Sequence, residues 1–176
     1  TIYTIHIDLA DMDRQVFETL DLRVARHSSE TTEFMVVRVL AFCLEYVEGL
    51  RFSDGVSAGD EPAVLARDLT GRLTHWIEVG APAPARLHRA GKAAGRVAVY
   101  THRDVRQFLG QFEGERIHRG HEIAIRAFDR TALERVCALV ERRCAFALSV
   151  SENQLTLSFD RVTEVVQMTE HQLPQA

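Results

Sequence analysis

The sequence predicts an α/β fold with one mixed sheet and helices on its faces. In some segments apolar and polar residues alternate, as in strands, and in others apolar residues recur every three to four positions, as in helices. A continuous apolar run, Val97 to Tyr100, lies between two helical segments and is typical of a buried parallel strand. The length of 176 residues fits a single domain, 1–176, with a core that needs no cross-links.

The first part of the chain predicts a hairpin and a long helix. Residues 1–10 alternate in polarity, and residues 16–25 pair with them after a turn at 11–14. Ser28 or Ser29 is the expected N-cap of the helix, because a serine side chain can accept a hydrogen bond from the first turn. Apolar residues at helical spacing then continue to Val47, and Gly49 ends the helix. A short strand is predicted at 50–52.

The middle of the chain predicts a second hairpin over residues 59–80. A turn at 59–62 leads into a strand at 63–66, and a turn at 68–72 leads into a strand at 73–80. Alternation places two sets of residues of the second strand on opposite faces: Leu73, His75, Ile77 and Val79, against Thr74, Trp76 and Glu78. His75 is therefore expected to pack in the core, on the face opposite Glu78.

The remaining elements follow the same reasoning. Two prolines open a helix over about 83–94, which precedes the apolar strand at 97–100. Then come a helix at 103–112, a strand at 121–128, a helix at 131–142 and three strands joined by tight turns, 145–150, 154–159 and 162–168. The predicted order is β-β-α-β-β-β-α-β-α-β-α-β-β-β.

Composition narrows the class of protein. A net charge of −4 argues against a protein that coats nucleic acid, but not against one that contacts a few phosphates locally. The basic residues are twenty arginines and one lysine, Lys92. Three cysteines with no zinc-site spacing predict buried thiols in a reducing cytoplasm. The sequence has no secretion signal and no apolar run of about 18 residues, so no membrane span is expected.

Five segments carry a resemblance to a known family: TIYTIHIDLADMDR at 1–14, RVARHSSETTE at 23–33, DEP at 60–62, WIEVG at 76–80 and VAVYT at 97–101. Together they resemble the YaeQ family of small bacterial proteins over nearly the full length. The resemblance implies a fold similar to the PD-(D/E)XK nucleases, with that core at about 30–101 and additional N- and C-terminal strands. In such nucleases two acidic residues hold Mg²⁺, and a lysine two residues after the second acid helps to activate water.

Carried over residue by residue, the resemblance implies a set of metal ligands. Asp60 or Glu61 is the expected first acid, and both remain candidates because the proline follows the acids here instead of preceding them. Glu78 is the expected second acid. A carboxylate from the first helix often joins the site, and Glu30 or Glu33 would supply it.

The position of the motif lysine is occupied by Gly80, which departs from the nuclease pattern. In some relatives of these nucleases the basic residue has moved to the following helix, where Arg86, Arg89 and Lys92 are candidates. Arg89 and Lys92 are three residues apart and share a helix face. A lysine can take part in proton transfer, whereas an arginine does not readily do so.

The implied chemistry is metal-assisted phosphodiester hydrolysis. Bound Mg²⁺ polarises the phosphoryl oxygen and lowers the pKa of its water, and a nearby cation offsets charge in the transition state. Trp76 lies beside Glu78 and could stack on a base. Arg26 and Ser28, before the first helix, could hold a phosphate at its N-terminus.

Three functions follow as hypotheses. The first is a Mg²⁺-dependent nuclease or phosphodiesterase that acts on nucleic acid. The second is a catalytically inactive nuclease-fold binding or regulatory protein, which Gly80 and the acidic charge favour and which suits the family's association with transcription elongation. The third is a metal-dependent enzyme for a small phosphorylated substrate. Each candidate also has a purely structural alternative: an exposed turn for Asp60 and Glu61, a sheet-edge carboxylate for Glu78, a helix start for Glu30 and Glu33, a solvated helix face for Arg89 and Lys92, and core packing for Trp76.

Overall fold

The computed structural model describes residues 1–54 and 60–176, and within these ranges the predicted order of elements is confirmed. The elements are β1 (Ile2–Asp11), β2 (Val16–Ala25), α1 (Thr32–Leu44), β3 (Arg51–Phe52), β4 (Val64–Arg67), β5 (Leu73–Val79), α2 (Pro84–Ala93), β6 (Arg96–Thr101), α3 (Val105–Gly110), β7 (Ala124–Phe128), α4 (Arg130–Leu139), β8 (Arg143–Ser151), β9 (Gln154–Ser158) and β10 (Thr163–His171). A short 3-10 turn, Gly120–Glu122, precedes β7.

The ten strands form one mixed sheet in the order β2-β1-β8-β9-β10-β7-β6-β5-β4-β3. Strands β5, β6 and β7 are mutually parallel, as the apolar run at 97–100 predicted, and β1 is parallel to β8. The sheet curves into a nearly closed barrel around α1, so that residues from nearly all its strands share one core with that helix. The order α1-β3-β4-β5-α2-β6 is the one expected of the nuclease-like core, although membership of that nuclease class stays a prediction.

Burial explains this arrangement. Helix α1 is buried along its whole length from Met35 to Leu44, which requires apolar partners on all sides rather than on one. Helix α4 packs beside α1 in the concave core, and α2 and α3 cover the convex face of the parallel strands. The alternation predicted for β5 is confirmed from Trp76 onward, because Ile77 and Val79 face the concave core and Trp76 faces the convex one. Leu73 was predicted to share the face of Ile77, but it packs with the convex cluster, because the register of β4 and β5 shifts by a bulge at Ala66 and Arg67.

The ends of α1 differ from the prediction. Its N-cap is Thr31, whose Oγ1 accepts a hydrogen bond of 3.1 Å from the Phe34 amide, so neither Ser28 nor Ser29 caps it. The helix ends at Leu44 and not near Gly49. There the Arg14 guanidinium donates to the carbonyl oxygens of Leu44 (2.9 Å) and Tyr46 (2.8 Å), and so satisfies two acceptors at the helix end.

Other boundaries shift by a few residues. The helices predicted at 103–112 and 131–142 are shorter, at Val105–Gly110 and Arg130–Leu139, and the strand predicted from residue 121 begins at Ala124. The hairpin over 59–80 forms as β4 and β5, but the first residue of its leading turn, Gly59, lies outside the described ranges. No helix of the described chain is long and apolar enough to cross a membrane.

Candidate functional site

Glu78 lies near the end of β5, on the convex face of the sheet, and only 5% of it is exposed. Its Oε1 accepts two hydrogen bonds, one of 2.7 Å from the indole Nε1 of Trp76 and one of 2.6 Å from Nε of Arg86. The Trp76 donor is available because residues two apart on a strand share a face. This carboxylate is therefore paired with an arginine and satisfied by a second donor.

Arg86 joins three parts of the chain. It lies in the first turns of α2, and its guanidinium carbon is 5.7 Å from the Trp76 ring centroid. Its Nη2 also donates a hydrogen bond of 2.8 Å to the main-chain carbonyl of Glu61. The arginine thus ties α2 to β5 and to the loop before β4. It is the one of the three candidate cations that the structure brings to Glu78.

The two acids before β4 are placed differently from each other. Asp60 is exposed. Glu61 is half-buried, and its Oε1 lies 4.0 Å from Nη2 of both Arg51 and Arg67. Its Oε2 is buried and has no hydrogen-bond partner among the described residues. The backbone of Glu61, rather than its carboxylate, is what contacts Arg86.

The backbone at Gly80 explains why no lysine stands there. Its φ is +95°, a conformation that L-residues with a side chain rarely adopt. A Cβ at this position would lie 3.4 Å from Cε2 of Phe34, at the start of α1. The Gly80 amide also donates to the Tyr100 carbonyl (2.9 Å), which holds the turn in place. A lysine at this position would strain the fold.

The other candidate cations project from the outside of α2. Arg89 and Lys92 are exposed, whereas Leu87, Ala90 and Gly91 are buried against the sheet. Lys92 is six residues after Arg86 and therefore about 9 Å further along the helix axis. Their assignment to catalysis stays a prediction, and the structure places both on a solvated helix face.

The two acids near α1, Glu30 and Glu33, also have different surroundings. Glu30 lies before the helix and forms a bidentate ion pair with Arg38, with Nε–Oε1 at 2.9 Å and Nη2–Oε2 at 3.1 Å, and both side chains are almost fully buried. Glu33 lies in the first turn of α1. Burial is the main cause that raises the pKa of Cys137, in α4, to about 12, and the charge of Glu33 adds to it.

The residues predicted to contact nucleic acid are also spread out. Ser28 is exposed, and Arg26 is half-buried with its Nε donating to the Glu30 carbonyl at 3.3 Å. Trp76 is 3% exposed and packs in the convex core, so its ring is not accessible to a base in this conformation. The loop at 26–30 lies beside β3, because the Arg38 guanidinium that holds Glu30 also sits 5.6 Å from the Phe52 ring centroid.

A metal ion would need several of these acids together. Across residues 1–54 and 60–176, no three His, Cys, Asp or Glu side chains form a group that could hold one. Mg²⁺ requires near-octahedral oxygen ligands, whereas Oε1 of Glu78 is surrounded by N–H donors. The donor set at Glu78, as arranged here, does not fit Mg²⁺.

A second polar network, on the concave side, was not predicted. Buried Glu45 accepts hydrogen bonds from Arg96 (2.9 and 3.0 Å) and from the Tyr100 hydroxyl (2.6 Å), and that hydroxyl accepts from Nη1 of Arg126 (2.9 Å). Burial alone would raise the pKa of Glu45, but the hydrogen bonds from Arg96 and Tyr100 and the charges of Arg96 and Arg126 together outweigh it, and the pKa is lowered. Burial, with the Glu45 charge, raises the pKa of Tyr100 well above its ordinary value.

His75 borders this network and is half-buried. Burial is the main reason why its pKa is lowered. It lies on the face opposite Glu78, as predicted. The only signal of the network in the sequence was a glutamate, Glu45, inside an apolar helical run, and its partners lie about 50 residues away.

Comparison with known proteins gives matches over nearly the whole chain. A sequence profile described as "YaeQ protein" matches residues 1–168. The "Uncharacterized protein YaeQ" of Escherichia coli (strain K12) is 31% identical over 175 residues, which cover 99% of this chain and 97% of that protein. The protein of the same description from Salmonella typhi is 30% identical over the same shares.

Solved structures agree with these matches. The crystal structure of YaeQ protein from Xanthomonas axonopodis pv. citri is similar with a TM-score of 0.90 at 27% identity, covering 99% of each chain. The crystal structure of YaeQ protein from Pseudomonas syringae is similar with a TM-score of 0.88 at 32% identity, covering 97% of this chain and 94% of that one. None of these descriptions states an activity.

Proposed function

The chain belongs to the YaeQ family, and we propose that it binds nucleic acid along one edge of its sheet without hydrolysing it. The observation that carries this proposal is the Arg86–Glu78 ion pair. It gives a buried candidate metal ligand a structural partner, so binding without hydrolysis is the function that remains for a nuclease-like core. A regulatory role, including one in transcription elongation, would need this property of binding without cleavage.

Two features of the site disfavour hydrolysis. Metal-assisted hydrolysis needs carboxylates that are free to bind a cation, and Glu78 accepts hydrogen bonds from Trp76 and Arg86 instead. Hydrolysis is also faster with a cation next to the reacting water. The motif lysine would supply this cation, but position 80 is a glycine whose backbone conformation a lysine would strain.

Binding is supported by four arginines near the β3–β4 edge, which we call the basic edge: Arg26, Arg51, Arg67 and Arg72. The side chains of Arg51 and Arg67 are 46% and 41% exposed, and their 4.0 Å contacts with Glu61 are loose. A phosphate can replace such contacts with bidentate hydrogen bonds from a guanidinium. Because phosphate contacts position a nucleic acid without reading its sequence, we expect weak and salt-dependent binding.

Fluorescence anisotropy with labelled single- and double-stranded DNA and RNA, across a salt series, tests this proposal. Removing both charges with Arg51→Gln and Arg67→Gln should weaken binding and reduce the slope of log K against log salt by about 1.5. Arg161→Gln is the control, because it removes an exposed charge at the distant β9–β10 turn. No binding at low salt, or the same slope in the double variant and the control, would overturn the proposal.

A second candidate function is a Mg²⁺-dependent phosphodiesterase that uses Asp60, Glu61 and Glu78. One observation favours it: a cation would satisfy Oε2 of Glu61, which is buried without a partner among the described residues. It requires Arg86 to release Glu78 when metal and substrate bind, with Arg89 or Lys92 as the remaining cation.

Cleavage assays with Mg²⁺ and Mn²⁺ on the same labelled nucleic acids decide between the two candidates. We expect intact substrate with the wild type. Cleavage by the wild type that is lost in Glu78→Gln would replace the binding proposal with the enzymatic one.

A further inference from the structure

A cleft of about 580 Å³ opens where the start of β7 meets the end of β10. Its lining includes His121, Ile123, Arg126, Glu170, His171 and Gln172. The volume lies within the range of roughly 300–1,000 Å³ that small-molecule sites occupy. Arg126 joins this cleft to the concave core, whereas Glu78 lies on the convex face.

The Arg126 guanidinium is held in place by contacts with the Tyr100 side chain. Its Nη1 donates a hydrogen bond of 2.9 Å to the Tyr100 hydroxyl, and its guanidinium carbon lies 5.7 Å from the centroid of the Tyr100 ring. That hydroxyl donates to Glu45, which in turn is held by Arg96. The guanidinium therefore keeps a fixed orientation without a ligand, which lowers the entropy cost of binding one.

The other edge of the Arg126 guanidinium, formed by Nε and Nη2, is poorly used. In Arg38 and Arg96 the same edge holds a carboxylate through two hydrogen bonds of 2.9 to 3.1 Å. In Arg126, Nη2 has only a 3.4 Å contact with Oε1 of Glu170, and the buried Nε has no hydrogen-bond partner among the described residues. Two sites in this chain thus show what the edge can bind, and a third leaves it unfilled.

We propose that this cleft binds a small ligand through a carboxylate or phosphate group, which the Nε–Nη2 edge of Arg126 holds by two hydrogen bonds. Both groups present the forked pair of oxygens that a guanidinium matches. The Glu170 side chain is 55% exposed and can turn towards solvent when the anion enters. His121 in the cleft wall can donate to a remaining oxygen, and Glu122 is engaged by Arg119.

Nuclear magnetic resonance of the arginine Nε–H groups tests this directly. The full chain is titrated with inorganic phosphate and, separately, with succinate, and the Arg126 signal is assigned by its loss in Arg126→Lys. We expect a saturable shift of that signal with one or both probes, and the stronger response identifies the source of the anion. No saturable shift with either probe would overturn the proposal.

Calorimetry on variants provides the second readout. Glu170→Gln removes the competing carboxylate and should tighten binding of the effective probe. Arg126→Lys keeps the positive charge but loses the paired N–H donors of the guanidinium, and should weaken binding about tenfold. Arg106→Lys, on the exposed side of α3, should bind as the wild type does. Binding by Arg126→Lys at wild-type strength, or by Glu170→Gln at or below it, would contradict the proposal.

Discussion

Nε of Arg86 lies 2.6 Å from Oε1 of Glu78, where a metal ligand was expected to be free. The pair links α2 to β5, and through the Glu61 carbonyl it also fixes the loop before β4. Its first consequence is structural. A carboxylate buried to this degree is stable as an anion only with a partner, so the arginine and the glutamate depend on each other.

We therefore expect Arg86→Met to lower the free energy of unfolding by about 3 kcal/mol, because it leaves Glu78 buried without its counter-charge. Arg89→Met on the same helix is the matched control, since Arg89 is exposed, and it should change stability by no more than about 0.5 kcal/mol. Urea denaturation followed by circular dichroism measures both. Equal effects of the two substitutions would show that the ion pair is not structurally important.

Restoring the motif lysine should harm the protein. Gly80→Lys forces a side chain onto a backbone with a φ of +95° and should cost about 1–2 kcal/mol, without producing nuclease activity. Gly110→Lys is the control, because Gly110 has no positive φ and the described chain leaves open space around it. A stable Gly80→Lys variant that cleaves nucleic acid with Mg²⁺ would refute this reasoning.

The two acids near α1 should behave differently on neutralisation. Glu30→Gln leaves the Arg38 guanidinium buried without a carboxylate and should cost about 3 kcal/mol. Glu33→Gln, in the first turn of α1, should stay within about 0.5 kcal/mol of the wild type. Thermal and urea unfolding of the two variants check this, and a larger loss from Glu33→Gln would contradict the assignment of Glu30 as a structural residue.

The free energy of unfolding should fall in acid, in part because the Glu45 carboxylate becomes protonated. Its pKa in the folded protein is below the ordinary value of 4.5, because the hydrogen bonds and charges of its partners, Arg96 first among them, outweigh burial. The contribution of Glu45 to the free energy of unfolding is therefore complete above about pH 4.5. It is lost as the pH falls through the pKa of Glu45 in the folded protein. Glu45→Gln should flatten the dependence of unfolding free energy on pH between about 6 and 3.

The control for this pH profile is Glu48→Gln, which removes an exposed carboxylate three residues away. It should leave the profile close to that of the wild type. A profile for Glu45→Gln as steep as that of the wild type would show that the Glu45–Arg96 pair does not govern acid stability.

Local patterns in the sequence were enough to predict the order of helices and strands. They did not predict contacts between residues far apart in the chain. The apolar run ending at Tyr100 predicted a buried parallel strand, and alternation in β5 put Glu78 and Ile77 on opposite faces, as found. The α1 boundaries were missed. Its C-terminal carbonyl at Leu44 accepts a hydrogen bond from Arg14, thirty residues earlier, and local spacing carries no information on such a contact.

The contacts of the candidate site could not be predicted from local patterns either. Arg86 was one of three candidate cations on a predicted helix, but its contact with Glu78 depends on how α2 docks on the sheet. The Glu45–Arg96 pair spans 51 residues and joins the end of α1 to β6, which curves with the sheet around that helix. Curvature is a property of the ten paired strands together, so no single segment of the sequence predicts it.

Calorimetric titration of Mg²⁺ into the wild type and Glu78→Gln, each with a single-stranded oligonucleotide present, tests the central claim most directly. If Arg86 holds Glu78 as a structural partner, the two proteins should give the same heats, with no binding step that depends on Glu78. A stoichiometric Mg²⁺ site in the wild type that Glu78→Gln abolishes would contradict the account and establish Glu78 as a metal ligand.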